Sequence, residues 1–407
     1  MNRLTSLSAP LRYRDFRYLW SAQVCSEVGD WSGRLALSLL VAERTHSAAA
    51  TALVTSFSVL PYIGLGQVLS TIANRHPRRR TILITDLGRA LLFALMILPV
   101  PIPVLLLFAF LAGVCTPPFE AARNSLTPLS VPNDTYGDAI ALASITFDTS
   151  VLFGYAVGGA LVAAVGTHGT LLINSASFVV SAALLLRIPT VNSPNIPEGV
   201  TVTLKDGWRA LVDEPYVRRF FLSFTVVGAC AVAAESLVAV YGLSELGVGP
   251  AQTGLLAAAM PAGAILAVVL ARSRGSDAAK LRRAADMVAV GSVTAMLLFA
   301  IGPAMPVILI GFAAVGLLNA SRVPANEVAV LRIDDAVRIP AFSILDGFLL
   351  GSQALAAALG GLFAREVGLR PTLVAAMAIA VLAGAASIMK PPRERPRHAR
   401  SFKTAER

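Results

Sequence analysis

The stretch GGALVAAVG at residues 158–166 returns as GGLFAREVG at residues 360–368, a shift of 202 (360 minus 158) that also sets Thr170 and Leu171 against Thr372 and Leu373. Two weaker matches precede it. Leu60 and Pro61 correspond to Met260 and Pro261, and Gly113 falls opposite Gly316, by nearly the same shift. Helices rich in Ala, Gly and Leu align easily, so no single match decides anything. Three nearly equal shifts in the same order imply an internal duplication. The chain then divides into a first half, 1–189, a linker, 190–218, a second half, 219–390, and a basic tail, 391–407.

Composition says what the halves are made of. Of 407 residues only 14% are charged, and 56% are hydrophobic. Soluble domains carry roughly 25% charged residues. The mean hydropathy of +0.70 excludes a conventional soluble enzyme. About 20 apolar residues cross a bilayer core as a helix. Such runs fall near 17–42, 50–73, 81–100, 103–122, 138–165 and 169–187, then near 220–242, 252–273, 285–302, 305–325, 341–364 and 371–389. The fold expected is an all-α integral membrane protein of twelve transmembrane helices in two pseudo-symmetric six-helix bundles.

The net charge of +10 is a topology signal rather than a nucleic-acid footprint, because the cations are sorted. Arg3, Arg12, Arg14 and Arg17 precede span one, and Arg75, Arg78, Arg79 and Arg80 follow span two. Lys205, Arg209, Arg218 and Arg219 lie between the halves, and Arg272, Arg274, Lys280, Arg282 and Arg283 follow span eight. The alternate loops hold little beyond Arg44, Arg365 and Arg370. Lys and Arg gather in cytoplasmic loops. The expectation is a multi-pass protein of the cell (inner) membrane with both termini cytoplasmic. The polar, basic N-terminus lacks the apolar core and small-residue site of a cleaved signal peptide. Cys25, Cys115 and Cys230 all lie inside spans, as packing residues.

Parallel six-helix halves related by an axis along the membrane normal form a transporter plan in which substrate binds near the midplane between them. Several segments carry a more specific resemblance. YRDFRYLWSAQVCSEVGDWSGRLAL (13–37), PPFEAARNSLTPL (117–129) and NSASFVVSAALLL (174–186) resemble the drug-export branch of the major facilitator superfamily. The superfamily's loop pattern after span two, G-x-x-x-D-R-x-G-R-R, corresponds to residues 70–79, with Ser70, Asn74 and Pro77 replacing Gly, Asp and Gly. The exporter pattern G-P-x-x-G-G of span five corresponds to Gly154, Tyr155, Gly158 and Gly159, with Tyr155 in place of proline. The Arg usual in span four has no clear counterpart.

The resemblance implies a cytoplasmic gate built on Asn74, Arg75, Arg78 and Arg79, with Asp138 or Asp346 as acidic partners. Asn74 cannot ionise, and holding topology is the competing role for these arginines. Gly154, Gly158 and Gly159 form a small-residue face that allows close helix approach, either as a moving contact or as plain packing.

Ionisable residues inside spans are functional candidates. Glu27, Asp30 and Arg34 share one face of span one, and Asp30 and Arg34 are close enough to pair. Asp148 lies midway along span five with no basic residue near it in sequence, and Glu235 sits on the outer half of span seven. These five are the candidates for proton coupling or substrate binding. Asp86 with Arg89 reads as a structural pair. Glu120 with Arg123, and Arg322 with Glu327, are assigned to cytoplasmic helix ends. No phosphate-cradling G-x-x-x-x-G-K-[ST] loop occurs, and the four histidines show no metal-ligand spacing.

The function expected is a proton-coupled secondary exporter of small, partly hydrophobic molecules, an antiporter working by alternating access. A proton-coupled metabolite importer and a transporter-like sensor are the alternatives. The expected partners are a small-molecule substrate, protons and membrane lipid, on which the basic tail would rest. No enzyme activity, cofactor, metal or nucleic acid is expected. Two halves complete a pathway in one chain, so a monomer is expected.

Overall fold

A computed structural model describes residues 8–62, 65, 77–132, 135–188, 204–213, 215–271, 277–302, 304–321 and 335–388. We label the membrane helices α1 to α12 in chain order. In the first half α1 is Arg14–Thr45, α2 Ala48–Val59 (prolonged by the 3-10 turn Leu60–Tyr62), α3 Arg78–Leu95 and α4 Ile102–Ser130. The helical run Tyr136–Leu185 is broken at Gly166, so α5 covers 136–165 and α6 covers 167–185. In the second half α7 is Pro215–Ser236, α8 Pro250–Ala271, α9 Asp277–Ile301, α10 Met305–Ala320, α11 Asp335–Val367 and α12 Leu369–Ile388.

Among the described residues, five helical runs are long and apolar enough to cross a membrane, and four shorter apolar helices accompany them. α1 is less apolar than these because Glu27, Asp30 and Arg34 lie among its leucines and alanines. Elsewhere the apolar exterior is plain. Ile84, Leu87 and Leu91 make a stripe along α3 with more than half of each residue exposed, which suits lipid rather than water.

The duplication is written into backbone detail. Gly166 (φ 75°) and Gly368 (φ 96°) occupy a left-handed conformation that side chains disfavour, and each ends a helix. The Thr170 hydroxyl donates to the Gly166 carbonyl at 2.9 Å and Thr372 to that of Gly368 at 2.8 Å. Gly113 of α4 approaches the carbonyl of Ser58, and Gly316 of α10 approaches that of Met260. The shift from Ser58 to Met260 is again 202. The structural register in α2 therefore pairs Ser58 with Met260, and the sequence match of Pro61 with Pro261 is two residues out. Proline similarity misled the alignment, whereas glycine contacts record which backbones touch.

The halves meet where α5 crosses α8 and where α2 crosses α11. A Cβ on Gly159 would stand 2.7 Å from both Gly254 Cα and the Pro250 carbonyl. A Cβ on Gly361 would stand 2.5 Å from Ala52 Cβ and 3.0 Å from the Ala48 carbonyl. These two crossings are repeat mates, residue for residue. Both lie toward the end opposite the basic loops, and the largest buried apolar cluster runs through helices of both halves.

Between the halves, Leu204–Asp213 forms an amphipathic helix within the linker, and Pro215, inside the expected linker 190–218, already opens α7. Trp208 stacks on Phe348 of α11 with ring centres 5.6 Å apart, and Phe348 in turn meets Phe221 of α7. α4 is longer than the hydropathy run suggested. It absorbs Pro117, Pro118 and Pro128 and continues to Ser130, which moves Glu120 and Arg123 from a helix end into the helix body.

Candidate functional site

The polar face of α1 organises the interior of the first half. Glu27 accepts from Arg123 of α4 at 2.8 Å and from Gln23 at 2.9 Å. One turn further, Arg34 binds Asp30 through Nε at 3.0 Å and through Nη2 at 2.9 Å, while its guanidinium lies 5.0 Å from the centre of the Trp31 ring. The expected Asp30–Arg34 pair thus forms, and Glu27 has a partner from another helix. Pairing offsets the cost of placing these charges in the bundle.

Two further carboxylates join this group, each held by a phenol. Tyr62 at the end of α2 donates to Glu120 of α4 at 3.3 Å. Tyr155 of α5 donates to Glu235 of α7 in a short hydrogen bond that crosses from one half to the other. Arg34 lies within Coulomb range of Asp30, Tyr62 and Tyr155, and also of Glu120 and Glu235. The Trp31 ring packs edge-on against Tyr155 at 5.3 Å and Phe147 at 6.3 Å. The result is a polar, aromatic-lined cluster where α1, α2, α4, α5 and α7 converge.

Glycines set these helices close enough. A Cβ on Gly154 would meet Trp31 Cβ at 2.5 Å, and one on Gly158 would meet Ser32 Cα at 2.8 Å. These two lock α5 to α1 inside the first half, and Ser32 completes the junction by donating to the Gly154 carbonyl at 2.9 Å. Gly159 faces the other way, onto α8. One small-residue motif therefore serves a contact within the first half and an inter-half contact at once.

Asp86 and Arg89 form a neighbouring pair, joined to the cluster through the Phe119 ring that Arg123 also approaches. Both are buried and ion-paired, and Ser181 of α6 donates to Asp86 at 2.7 Å. The Arg89 guanidinium sits 4.2 Å from the Phe119 ring centre and 4.4 Å from that of Phe178. This clamp ties α3, α4 and α6 together.

Other candidates fall into place differently. Asp148 was expected to be buried in mid-span; its side chain is exposed. It lies seven residues before Tyr155, hence on the helix face that Tyr155 turns toward the second half. Arg79 donates to the carbonyl of Leu186 at the end of α6, where a cation complements the helix terminus. Arg78 is partly buried, with its Nη1 lacking a hydrogen-bond partner among the described residues. Asp138 is half-buried in the first turn of α5. Asn74, Arg75 and the side chain of Asp346 lie outside the described residues, as do Arg322, Glu327 and the tail.

The residues not picked out in advance are Tyr62, Tyr155 in its role as a donor, and the Glu120 and Arg123 side chains as members of the cluster. A signal existed for the last two. Seven residues separate Arg123 from Thr116 and four from Phe119, so the buried face of α4 runs straight through the positions assigned to its end.

A twelve-helix, two-half bundle with a polar cluster between its halves defines a membrane transporter of the major facilitator type, not an enzyme. The family model described as transmembrane secretion effector matches residues 5–401, and the chain belongs to that family. It is 27% identical over 264 residues to the MFS-type transporter YfiS of Bacillus subtilis, covering 63% of each chain. It is also 24% identical over 124 residues to macrolide efflux protein A of Streptococcus pyogenes, covering 29% of this chain and 31% of that one. These alignments span less than two thirds of the relatives' own lengths. Among solved structures, a bacterial homologue of the iron transporter ferroportin in an inward-facing state superposes with a TM-score of 0.72 at 15% identity, covering 92% of this chain and 98% of that one. The nucleoside transporter NupG superposes with a TM-score of 0.70 at 14% identity, covering 92% and 98%. At such identities the likeness establishes the fold.

Proposed function

We propose that the chain is a proton-driven exporter of small, partly hydrophobic, positively charged molecules. The observation that carries this reading is the charge balance of the cluster. Among the described residues, the four carboxylates Glu27, Asp30, Glu120 and Glu235 share the cluster with the paired arginines Arg34 and Arg123, and Trp31, Phe147 and Tyr155 supply aromatic faces beside them. Surplus carboxylates with aromatic walls suit an organic cation, and the same groups can take protons when the cation leaves. The similarity to a macrolide efflux protein supports export.

The basic loops support an orientation with both termini in the cytoplasm. On that orientation the two glycine crossings lie on the outer side, and in the proposed reading they close it while the cluster is reached from the cytoplasm. Alternating access would exchange this state for one opened at the crossings, with the cluster as the shared site. The substrate arrives from the cytoplasm or inner leaflet, and protons enter from outside.

The test is transport by purified protein in proteoliposomes with an imposed proton gradient and a fluorescent lipophilic cation. The expected result is substrate-dependent proton movement that falls at least about tenfold in Asp148→Asn and Glu120→Gln. Wild-type protein that moves no protons with substrate, or variants that behave as wild type, would sink the proposal. Net flux into inverted vesicles separates export from uptake, and binding without flux would indicate a sensor.

A further inference from the structure

The repeat makes the Tyr155–Glu235 bond conspicuous, because its mate does not exist. Applying the shift of 202, Tyr155 corresponds to Ala357 and Glu235 to Gly33. Ala357 is fully buried, and Gly33 packs on the Asn174 side chain. The two crossings that hold the halves together are otherwise equivalent. Among the described residues, only the α5–α8 side carries a hydrogen bond between a carboxyl of one half and a phenol of the other.

Tyr155 also touches that crossing directly. A Cβ on Gly254 would stand 2.7 Å from the Tyr155 carbonyl and 2.6 Å from Gly159 Cα. The backbone of Tyr155 therefore abuts α8 in the second half, and its side chain reaches α7 in the same half. Its ring is braced by Trp31 of α1. Any separation of α5 from α8 must break or stretch the bond to Glu235. Among the described residues, the charged and titratable groups facing Glu235 are Tyr155 from α5 and Arg34 from α1, with Asp30 beside that arginine.

We infer that the Tyr155–Glu235 hydrogen bond is a proton-released latch on the α5–α8 crossing, with Tyr155 as the positioning residue and Glu235 as the group that takes the proton. As a carboxylate, Glu235 accepts a charge-assisted bond from the phenol, roughly twice as strong as a neutral one. A proton on Glu235 removes the charge and weakens the bond, and the balance shifts toward the state opened at the crossing. The unloaded chain is thereby held shut at that end, which prevents idle switching without a proton. The use of this device in exchange rests on the exporter reading; its existence does not.

The experiment uses the full chain in lipid nanodiscs with Cys25, Cys115 and Cys230 replaced by serine. Spin labels are placed at the exposed positions His168→Cys and Glu366→Cys, one in each half beside the crossings. Double electron–electron resonance is recorded at about pH 8 and about pH 5, on either side of the range in which a perturbed carboxyl titrates. Wild type should show a single short distance at the higher pH and a second, longer population at the lower. Glu235→Gln should show the longer population at both, and Tyr155→Phe should lose the pH-dependent component while keeping its ring contact with Trp31. An unchanged wild-type distribution, or a wild-type pH response retained by either variant, overturns the inference. No substrate is present, so failure of the exporter reading would leave this measurement untouched.

Discussion

Glu27 on α1 is bound to Arg123 on α4 at 2.8 Å, across a separation of 96 residues. This contact ties the polar face of the first helix to the helix that carries Glu120. Both side chains are largely buried. Removing one partner of such a pair leaves an uncompensated charge, typically costing about 3–5 kcal/mol. Arg123→Met should therefore lower the melting temperature in detergent markedly and abolish transport. The double variant Glu27→Gln, Arg123→Gln should regain most of the stability but not the transport. A double variant as unstable as the single one would contradict this assignment.

The Asp86–Arg89 clamp predicts the complementary pattern. It holds α3, α4 and α6 through Ser181 and two phenylalanine rings, and among the described residues its hydrogen bonds reach none of the cluster's carboxylates. Arg89→Leu should lose stability by a comparable amount, read as a drop in thermal midpoint. The protein that remains folded should keep the substrate affinity of wild type.

The crossings set a steric prediction. At Gly159 an added Cβ would press on backbone atoms of Gly254 and Pro250, which cannot rotate away. Gly159→Val should force α5 and α8 apart and raise labelling of a cysteine placed beside the crossing, with transport lost. Gly361→Val should act alike at the α2–α11 crossing. Gly137→Ala meets no atom within 4 Å among the described residues and serves as the neutral control.

The helix break at Gly166 makes a backbone prediction. No neighbouring atom opposes a Cβ there, but φ is 75°. Gly166→Ala should thus destabilise through the left-handed conformation alone, by about 1 kcal/mol or slightly more. Thermal unfolding of the single variant and of Gly368→Ala, its repeat mate, should give shifts of similar size.

Much of this molecule was legible before any coordinates. The GGALVAAVG repeat announced two halves, and the last glycine of each copy ends a helix with a positive φ. Asp30 and Arg34 pair as their spacing implied, because both partners lie on one helix and its geometry is known in advance. Contacts between helices were a different matter. The bond of Glu27 to Arg123 and that of Tyr155 to Glu235 depend on helix rotation and depth, which hydropathy does not encode. Nor did it encode how far α4 continues beyond its apolar run, and Glu120 was misplaced for that reason.

Sequence alone determined that the chain spans the membrane repeatedly in two related halves, since lipid demands long apolar helices and duplication leaves a constant residue shift. Tertiary structure decided which of the repeated features are used alike. Gly159 and Gly361 make equivalent crossings, yet only the first lies beside a phenol bound to a carboxyl of the other half. The reason is physical: small residues govern how closely backbones approach, and that distance determines which polar side chains can reach one another.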